Sequence, residues 1–216
     1  MNRAVIISGG NIRDDFALAF LKRYPGKLLI AADRGIGFCR RNHVFPTHIV
    51  GDFDSGSGED LKWFQAREEI EVQVFQPEKD FTDTQIALEL ALKLGAEEIR
   101  ILGGTGTRID HVLANIRILK ICADRGIFCT LEDEHNRIYL KENSFIIPRA
   151  EQFGTYISLF ALGGPVTDLT LEGFFYPLDR YRMEGDDPLG VSNEITESVG
   201  KVYFSSGTLL VIESKD

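Results

Sequence analysis

The chain is short of the residues that build stapled, zinc-clamped or membrane-spanning proteins. It has 3 cysteines in 216 residues, Cys39, Cys122 and Cys129, with no CxxC pair and no zinc-type spacing. An odd number of scattered thiols argues against a disulfide scaffold and fits a reducing compartment, so a cytoplasmic protein is expected. No apolar run approaches the roughly 20 residues that a membrane helix needs. The apolar start Ala4-Val5-Ile6-Ile7 is too short for a signal-peptide core. Basic residues are in deficit as well: 24 Lys and Arg against 33 Asp and Glu leave a formal charge of −9. That balance argues against a general nucleic-acid binder, whose phosphate contacts need a basic face. It suits a cationic small substrate, or a nucleotide whose phosphates meet a metal ion and one or two local basic residues. His43, His48 and His135 form no metal-spaced cluster, and no Ser-His-Asp or Cys-His arrangement stands out.

What is present is an ordinary globular composition, 44% apolar and 26% charged, with material for one large domain or two small ones. Short apolar runs at 4–8, 28–31, 47–50, 71–75, 98–102 and 128–132 alternate with amphipathic stretches at 14–23, 35–41, 59–67, 83–94 and 110–125. Strands separated by helices of this length predict βαβ units and a parallel sheet covered by helices, a Rossmann-like three-layer α/β domain. In the last stretch Val112, Leu113, Ile116, Leu119 and Ala123 fall at helical spacing and predict its buried face. After Glu134 the helical pattern stops. Runs at 138–140, 144–147, 156–162, 167–172, 200–204 and 208–213, broken by Gly, Pro, Asp and Ser, predict an antiparallel sandwich or barrel. Two domains are therefore expected, 1–134 and 135–216.

Right-handed crossovers put every βα loop of the first domain on one edge, where open α/β sheets bind ligands. Those loops carry unusual polar residues. Gly51-Asp52-Phe53-Asp54-Ser55 follows the third strand, and its paired carboxylates suit a hard cation such as Mg²⁺ as well as they suit a turn. Gly9 and Gly10 follow the first strand, permitting close backbone approach to a ligand or simply a tight turn. Asp33 follows the second, as a helix N-cap or a ligand or metal contact. Lys79-Asp80-Phe81-Thr82-Asp83 leads into a helix; one of Asp80 and Asp83 can cap it while the other faces the edge of Asp52 and Asp54. Lys79 is placed to balance their charge or to touch a phosphate. The fifth strand ends in Gly103-Gly104-Thr105-Gly106-Thr107-Arg108-Ile109-Asp110-His111. This is neither a P-loop nor GxGxxG, but three glycines before a helix make a phosphate cradle plausible on physical grounds. Arg108 has the fork geometry for phosphate oxygens; Asp110 is a helix cap or part of the site, and His111 reads as structural. Together these residues point to a Mg²⁺–nucleotide enzyme, because phosphoryl-type transfer needs a metal, positive charge and a held acceptor more than a protein nucleophile.

In this order and spacing the segments resemble thiamine pyrophosphokinase. Besides the loops above, Tyr176-Pro177-Leu178, Leu189-Gly190-Val191-Ser192-Asn193-Glu194 and Gly207-Thr208-Leu209-Leu210-Val211-Ile212 fit that family's thiamine-binding β domain. The resemblance implies attack of the thiamine hydroxyl on the β-phosphorus of ATP, giving thiamine diphosphate and AMP. It implies Mg²⁺ held by Asp52, Asp54 and Asp83 with Asp33 and Asp80 nearby, and ATP contacts from Arg108, Asp110 and the glycine loop. It further implies a hydrogen bond from Ser192 to the aminopyrimidine with Asn193 beside it, and a homodimer whose active site lies between the catalytic domain of one subunit and the β domain of the other. Tyr176 stands where some relatives have Trp, as a stacking ring or a core residue, and residues 179–187 are more charged than the family pattern. Three rivals remain: a pyrophosphokinase for another alcohol such as a hydroxymethylpterin, a non-enzymatic thiamine or nucleotide sensor, and a phosphatase. For the last, Asp52-Phe53-Asp54-Ser55 resembles the DxDx[TS] motif of haloacid-dehalogenase-type enzymes with Asp52 as nucleophile, although that motif normally follows a first strand.

Overall fold

The structure is a computed structural model that describes residues 2–26, 28–51, 58–67, 70–74 and 81–216. The chain divides into two compact units, Met1–Glu134 and His135–Asp216.

In the first unit six strands, β1 (Arg3–Ile7), β2 (Leu28–Ala32), β3 (His48–Gly51), β4 (Glu71–Val74), β5 (Glu98–Leu102) and β6 (Phe128–Glu132), pair in the order β6-β5-β1-β2-β3-β4. Every pairing is parallel. The helices are α1 (Asp14–Arg23), α2 (Gly35–Arg41), α3 (Gly58–Gln65), α4 (Asp83–Lys93) and α5 (Ile109–Ala123). Strand alternation sends Val5, Ile7, Ala31, Ile49 and Leu102 to one face, where they pack with Ala17 and Phe20 of α1, Ile36 and Phe38 of α2 and Phe64 of α3. The opposite face, with Ala4, Ile6, Ile30, Ile99 and Ile101 fully buried, lies against α4, which touches β1, β2 and β3. These are the three layers that the alternating pattern predicts. In α1, Asp14 and Asp15 open the helix and Lys22 and Arg23 close it, matching the helix dipole at both ends.

The second unit has two antiparallel sheets and is a β sandwich. One sheet runs β12 (Asn193–Glu194), β9 (Tyr156–Ala161), β14 (Leu209–Ser214), β7 (Asn136–Lys141); the other runs β11 (Leu178–Met183), β10 (Val166–Glu172), β13 (Val199–Tyr203), β8 (Phe145–Pro148). Ile157, Leu159, Leu209 and Val211 from the first and Val166, Leu169, Met183 and Val202 from the second are buried.

Two expectations need correction. The buried residues of α5 are Asn115, Ile118, Leu119 and Cys122, while Leu113 is 55% exposed. This helix is apolar on more than one side, so spacing alone does not select the inward face. Strands β11 and β12 are absent from the sequence reading. β11 is an edge strand whose pairing with β10 shifts register, and Arg180 within it has φ +47°. An exposed, bulged edge carries charge instead of alternating apolar residues, which explains the charged stretch from Asp179 onward.

Candidate active site

Because the sheet of the α/β unit is parallel, all its βα loops share one edge. β1 lies between β2 and β5, so the chain leaves β1 on one side and returns on the other. The ends of β1 and β5 flank a topological switch point, the usual crevice for ligands in such sheets.

The two loops at this point are stitched together through the backbone. The N–H of Ser8 donates to the Leu102 carbonyl at 2.8 Å, that of Gly10 to Gly103 at 2.7 Å, and that of Asn11 to Thr105 at 2.9 Å. A Cβ on Gly10 would stand 2.3 Å from the Thr105 carbonyl oxygen. Sequence reading offered this glycine to a ligand or a turn; the structure gives its closeness to the second loop. Gly103 has φ +70°, and a Cβ there would meet the Ser8 carbonyl oxygen at 2.4 Å, so a side chain is excluded twice over.

The sequence reading missed Asn115. It is 5% exposed, and its Nδ2 donates to the Gly104 carbonyl at 2.7 Å. Three consecutive carbonyls, of Gly103, Gly104 and Thr105, thus accept bonds from the scaffold. The N–H groups of residues 104–107 donate no backbone bond among the described residues. Backbone N–H groups left available in this way, just ahead of a helix, suit anionic oxygens. A buried asparagine at a helical core position is the signal that could have revealed it. Replacing Asn115 by alanine should cost about 1–3 kcal/mol, since a buried carbonyl loses its donor. It should also raise the KM for ATP by about tenfold with a smaller change for the second substrate, as steady-state kinetics would show.

Arg108 occupies the N-cap position of α5 without a side-chain cap bond, so Asp110 is not the cap. Instead Arg108 donates Nη2 to Asp110 Oδ2 at 2.5 Å and Nε to Oδ1 at 3.2 Å. Both side chains are well exposed, at 70% and 63%. The guanidinium holds the Asp110 carboxyl down to about 2. Two guanidinium nitrogens are engaged in this fork; further N–H groups of Arg108 stay available to phosphate oxygens. His111 lies exposed in the first turn of α5.

Asp33 does not cap α2, because Arg34 holds that position. It sits at φ +44°, with its N–H on the Val50 carbonyl at 2.9 Å and its own carbonyl accepting from Ile36 at 3.2 Å. Its Oδ2 lies 3.5 Å from where a Gly9 Cβ would stand, so Asp33 and Gly9 come together at the edge. At α4 the cap is Thr82, whose side chain accepts from the Gln85 N–H at 3.3 Å, leaving Asp83 in the first turn. Next to it, Thr84 is 6% exposed and shares a 2.6 Å hydroxyl–hydroxyl bond with Ser8 at the end of β1. This buried bond ties the start of α4, and with it Asp83, to the switch point. Asp52, Asp54, Lys79 and Asp80 lie outside the described residues. Among the described residues no three His, Cys, Asp or Glu side chains converge as a metal site. The three cysteines are free and buried, and burial pushes the Cys39 thiol up to about 12, so it offers no thiolate nucleophile.

In the β sandwich, Ser192 is exposed with φ +55°, and its N–H donates to Ser158 Oγ at 3.0 Å. Tyr176 is 62% exposed beside Phe175 at 63%, the rings meeting edge-on with centroids 4.8 Å apart. Tyr176 is therefore a surface aromatic and not a core residue. Asn193 is buried directly after Ser192. No helix among the described residues is long and apolar enough to cross a membrane.

Comparison with known proteins follows the same division. Residues 25–131 match the family described as thiamin pyrophosphokinase, catalytic domain, and residues 143–209 match thiamin pyrophosphokinase, vitamin B1 binding domain. The chain is 32% identical to thiamine pyrophosphokinase of Bacillus subtilis (strain 168) over 189 residues, 88% of each protein. It is similar to the crystal structure of the Bacillus subtilis enzyme, with TM-score 0.86, 31% identity and 99% of each chain covered. A thiamin pyrophosphokinase family protein from Enterococcus faecalis gives TM-score 0.83 and 32% identity, again over 99% of each chain. With both halves matched in order and the whole fold shared, the chain belongs to the thiamin pyrophosphokinase family.

Proposed function

We propose that this protein is an enzyme that transfers the pyrophosphoryl group of ATP to the hydroxyl of thiamine, giving thiamine diphosphate and AMP. The observation that carries the reading is the anchored glycine loop at the switch point, with three carbonyls tied to the scaffold, N–H groups beyond them that donate no backbone bond among the described residues, and Arg108 at the helix entrance. In the reaction the thiamine hydroxyl releases its proton to solvent as its oxygen forms a bond to the β-phosphorus of ATP. The bond from that phosphorus to the bridging oxygen of the α-phosphate breaks, and AMP leaves. The loop and Arg108 would hold the phosphates, and Lys79 would add positive charge. Asp52, Asp54 and Asp83, all oxygen donors, fit a hard cation; Asp33 and Asp80 would lie near it. When bound there, Mg²⁺ supplies charge neutralisation on the phosphates. Ser192 and Tyr176 would meet thiamine, the exposed aromatic face suiting its cationic ring.

The protein would act as a homodimer in the cytoplasm, its active site formed by the α/β domain of one subunit and the β domain of the other. The buried free cysteines support a reducing compartment. Asp52 follows β3, the third strand, which disfavours the phosphatase reading. A coupled AMP-release assay tests the proposal: we expect release with Mg²⁺, ATP and thiamine, none with a hydroxymethylpterin, and none after chelation of the metal. AMP with the pterin alone would overturn the substrate. For the dimer, mixing Asp54→Asn subunits with Ser192→Ala subunits should, at thiamine below the KM of the Ser192→Ala homodimer, give more activity than the two homodimers give separately, because each mixed dimer keeps one intact site.

A further inference from the structure

The side chain of Asn193 takes the place of a strand neighbour. Oδ1 accepts from the N–H of Tyr176 at 3.0 Å and from its own neighbour Glu194 at 2.9 Å, and Nδ2 donates to the Tyr176 carbonyl at 2.8 Å. Both backbone polar groups of Tyr176 are thus held by one amide that is 6% exposed. The flanking contacts extend the same alignment: the Phe175 N–H donates to the Glu194 carbonyl at 2.8 Å, and Phe174 bridges Ile195. Asn193 itself is fixed by pairing of β12 with β9. Outside this clamp the Phe175 and Tyr176 rings stand exposed.

An asparagine that recognises a ligand needs its amide facing the ligand's side of the surface. Here both ends of the amide are engaged and the side chain is buried, while the ring it fixes is open. From this we infer that Asn193 is a positioning residue that acts on thiamine through Tyr176, by fixing the backbone that carries the ring. The inference rests on thiamine being the substrate. It reassigns Asn193 from the substrate contacts that the family resemblance implies to the support beneath them. Ser192 is held in a parallel manner through the buried hydroxyl of Ser158, so the two thiamine-facing residues are each aimed by a buried polar neighbour.

A double-mutant cycle tests this, because residues acting through one another are not additive. Tyr176→Ala and Asn193→Ala should each raise the KM for thiamine by about tenfold, the scale of a lost cation–aromatic contact. The KM for ATP should stay unchanged in both. The double variant should be no worse than the poorer single one; effects that multiply to about a hundredfold would overturn the inference. Asn193→Asp keeps the acceptor but loses the donor, so its effect should be intermediate, and it serves where the alanine variant does not fold. Amide hydrogen exchange gives a readout free of activity: protection of the Tyr176 N–H should fall in Asn193→Ala, and unchanged protection would overturn the clamp. Wild-type protein that releases no AMP with thiamine would overturn both this inference and the reading of function. Wild-type turnover with additive variants would overturn the inference alone.

Discussion

Replacing Asp83 with asparagine should lower AMP release by about a hundredfold to a thousandfold, the scale of removing one group that stabilises transition-state charge. Thiamine affinity should survive, since thiamine contacts are assigned to the other domain. The substitution leaves the cap of α4 in place, because Thr82, not Asp83, holds that position. Loss of one acid from the first turn weakens its interaction with the helix dipole, about 0.3–1 kcal/mol. The buried Ser8–Thr84 bond remains to hold the first turn in place. Three measurements make the case together: AMP release at saturating substrates, thiamine binding by calorimetry, and thermal unfolding. Turnover within about threefold of wild type would remove Asp83 from the proposed ligand set.

Arg100→Met should destabilise the α/β unit by about 3–5 kcal/mol, because it strands charges that burial has made dependent on it. Arg100 bonds Glu98 at 2.5 Å and Glu132 at 2.8 Å, with side-chain exposures of 14%, 12% and 1%. Its guanidinium also lies 5.0 Å from the rings of Tyr24 and Phe128. The pH dependence gives a second, sharper test. Burial works to raise the Glu98 pKa, but the Tyr24 hydroxyl, the Arg100 guanidinium and the charge of Arg3 outweigh it and hold the carboxyl below its ordinary 4.5. A folded-state value below the unfolded one stabilises above the ordinary range, and that contribution is lost as pH falls below 4.5. Without Arg100, burial of Glu98 is opposed only by Tyr24 and Arg3, and this carboxylate takes up a proton more readily in the folded variant than in folded wild type. The variant should therefore lose less stability than wild type as pH falls through 4.5. Denaturant unfolding at several pH values would show it; a constant difference between the two proteins would mean the arginine serves by packing alone.

The architecture was legible because it depends on patterns that repeat. Residues 98–102 and 128–132 were read as strands and are β5 and β6 with the same limits, and 14–23 and 35–41 are α1 and α2. Such runs have a period, flanking breakers and enough length to be read locally. The edge strand β11 was not legible, since Asp179, Arg180 and Arg182 face solvent there and Arg180 leaves the regular backbone. The inward face of α5 was legible only in part: Leu119 is buried as expected, but Leu113 is exposed, and Ile118 and Cys122 are buried outside the expected set. Asn115, the polar residue that marks the buried side, looks like an interruption until Gly104 is in view. The same limit applies at the candidate site. The glycines and acids announce a loop edge, but what fixes them are single side-chain bonds between distant segments: Ser8 with Thr84, Asn115 with Gly104, Asn193 with Tyr176. No periodicity records a partner, so such pairs become visible only after folding.

The stitching of the Gly10 loop to the Gly103 loop bears on the order in which the molecule acquires its activity. Its two halves are separated in sequence by every strand and helix from α1 to β5. Closing such a distant contact carries a large chain-entropy cost until the intervening elements have compacted. The anion cradle is therefore expected to form only after β1 and β5 have paired, and pulsed amide exchange at Gly10 and Asn11 during refolding would show it. A partly folded chain can hold most of its helices and still have no place for a nucleotide, so a species unable to complete the fold is also unable to bind and hold ATP at that loop.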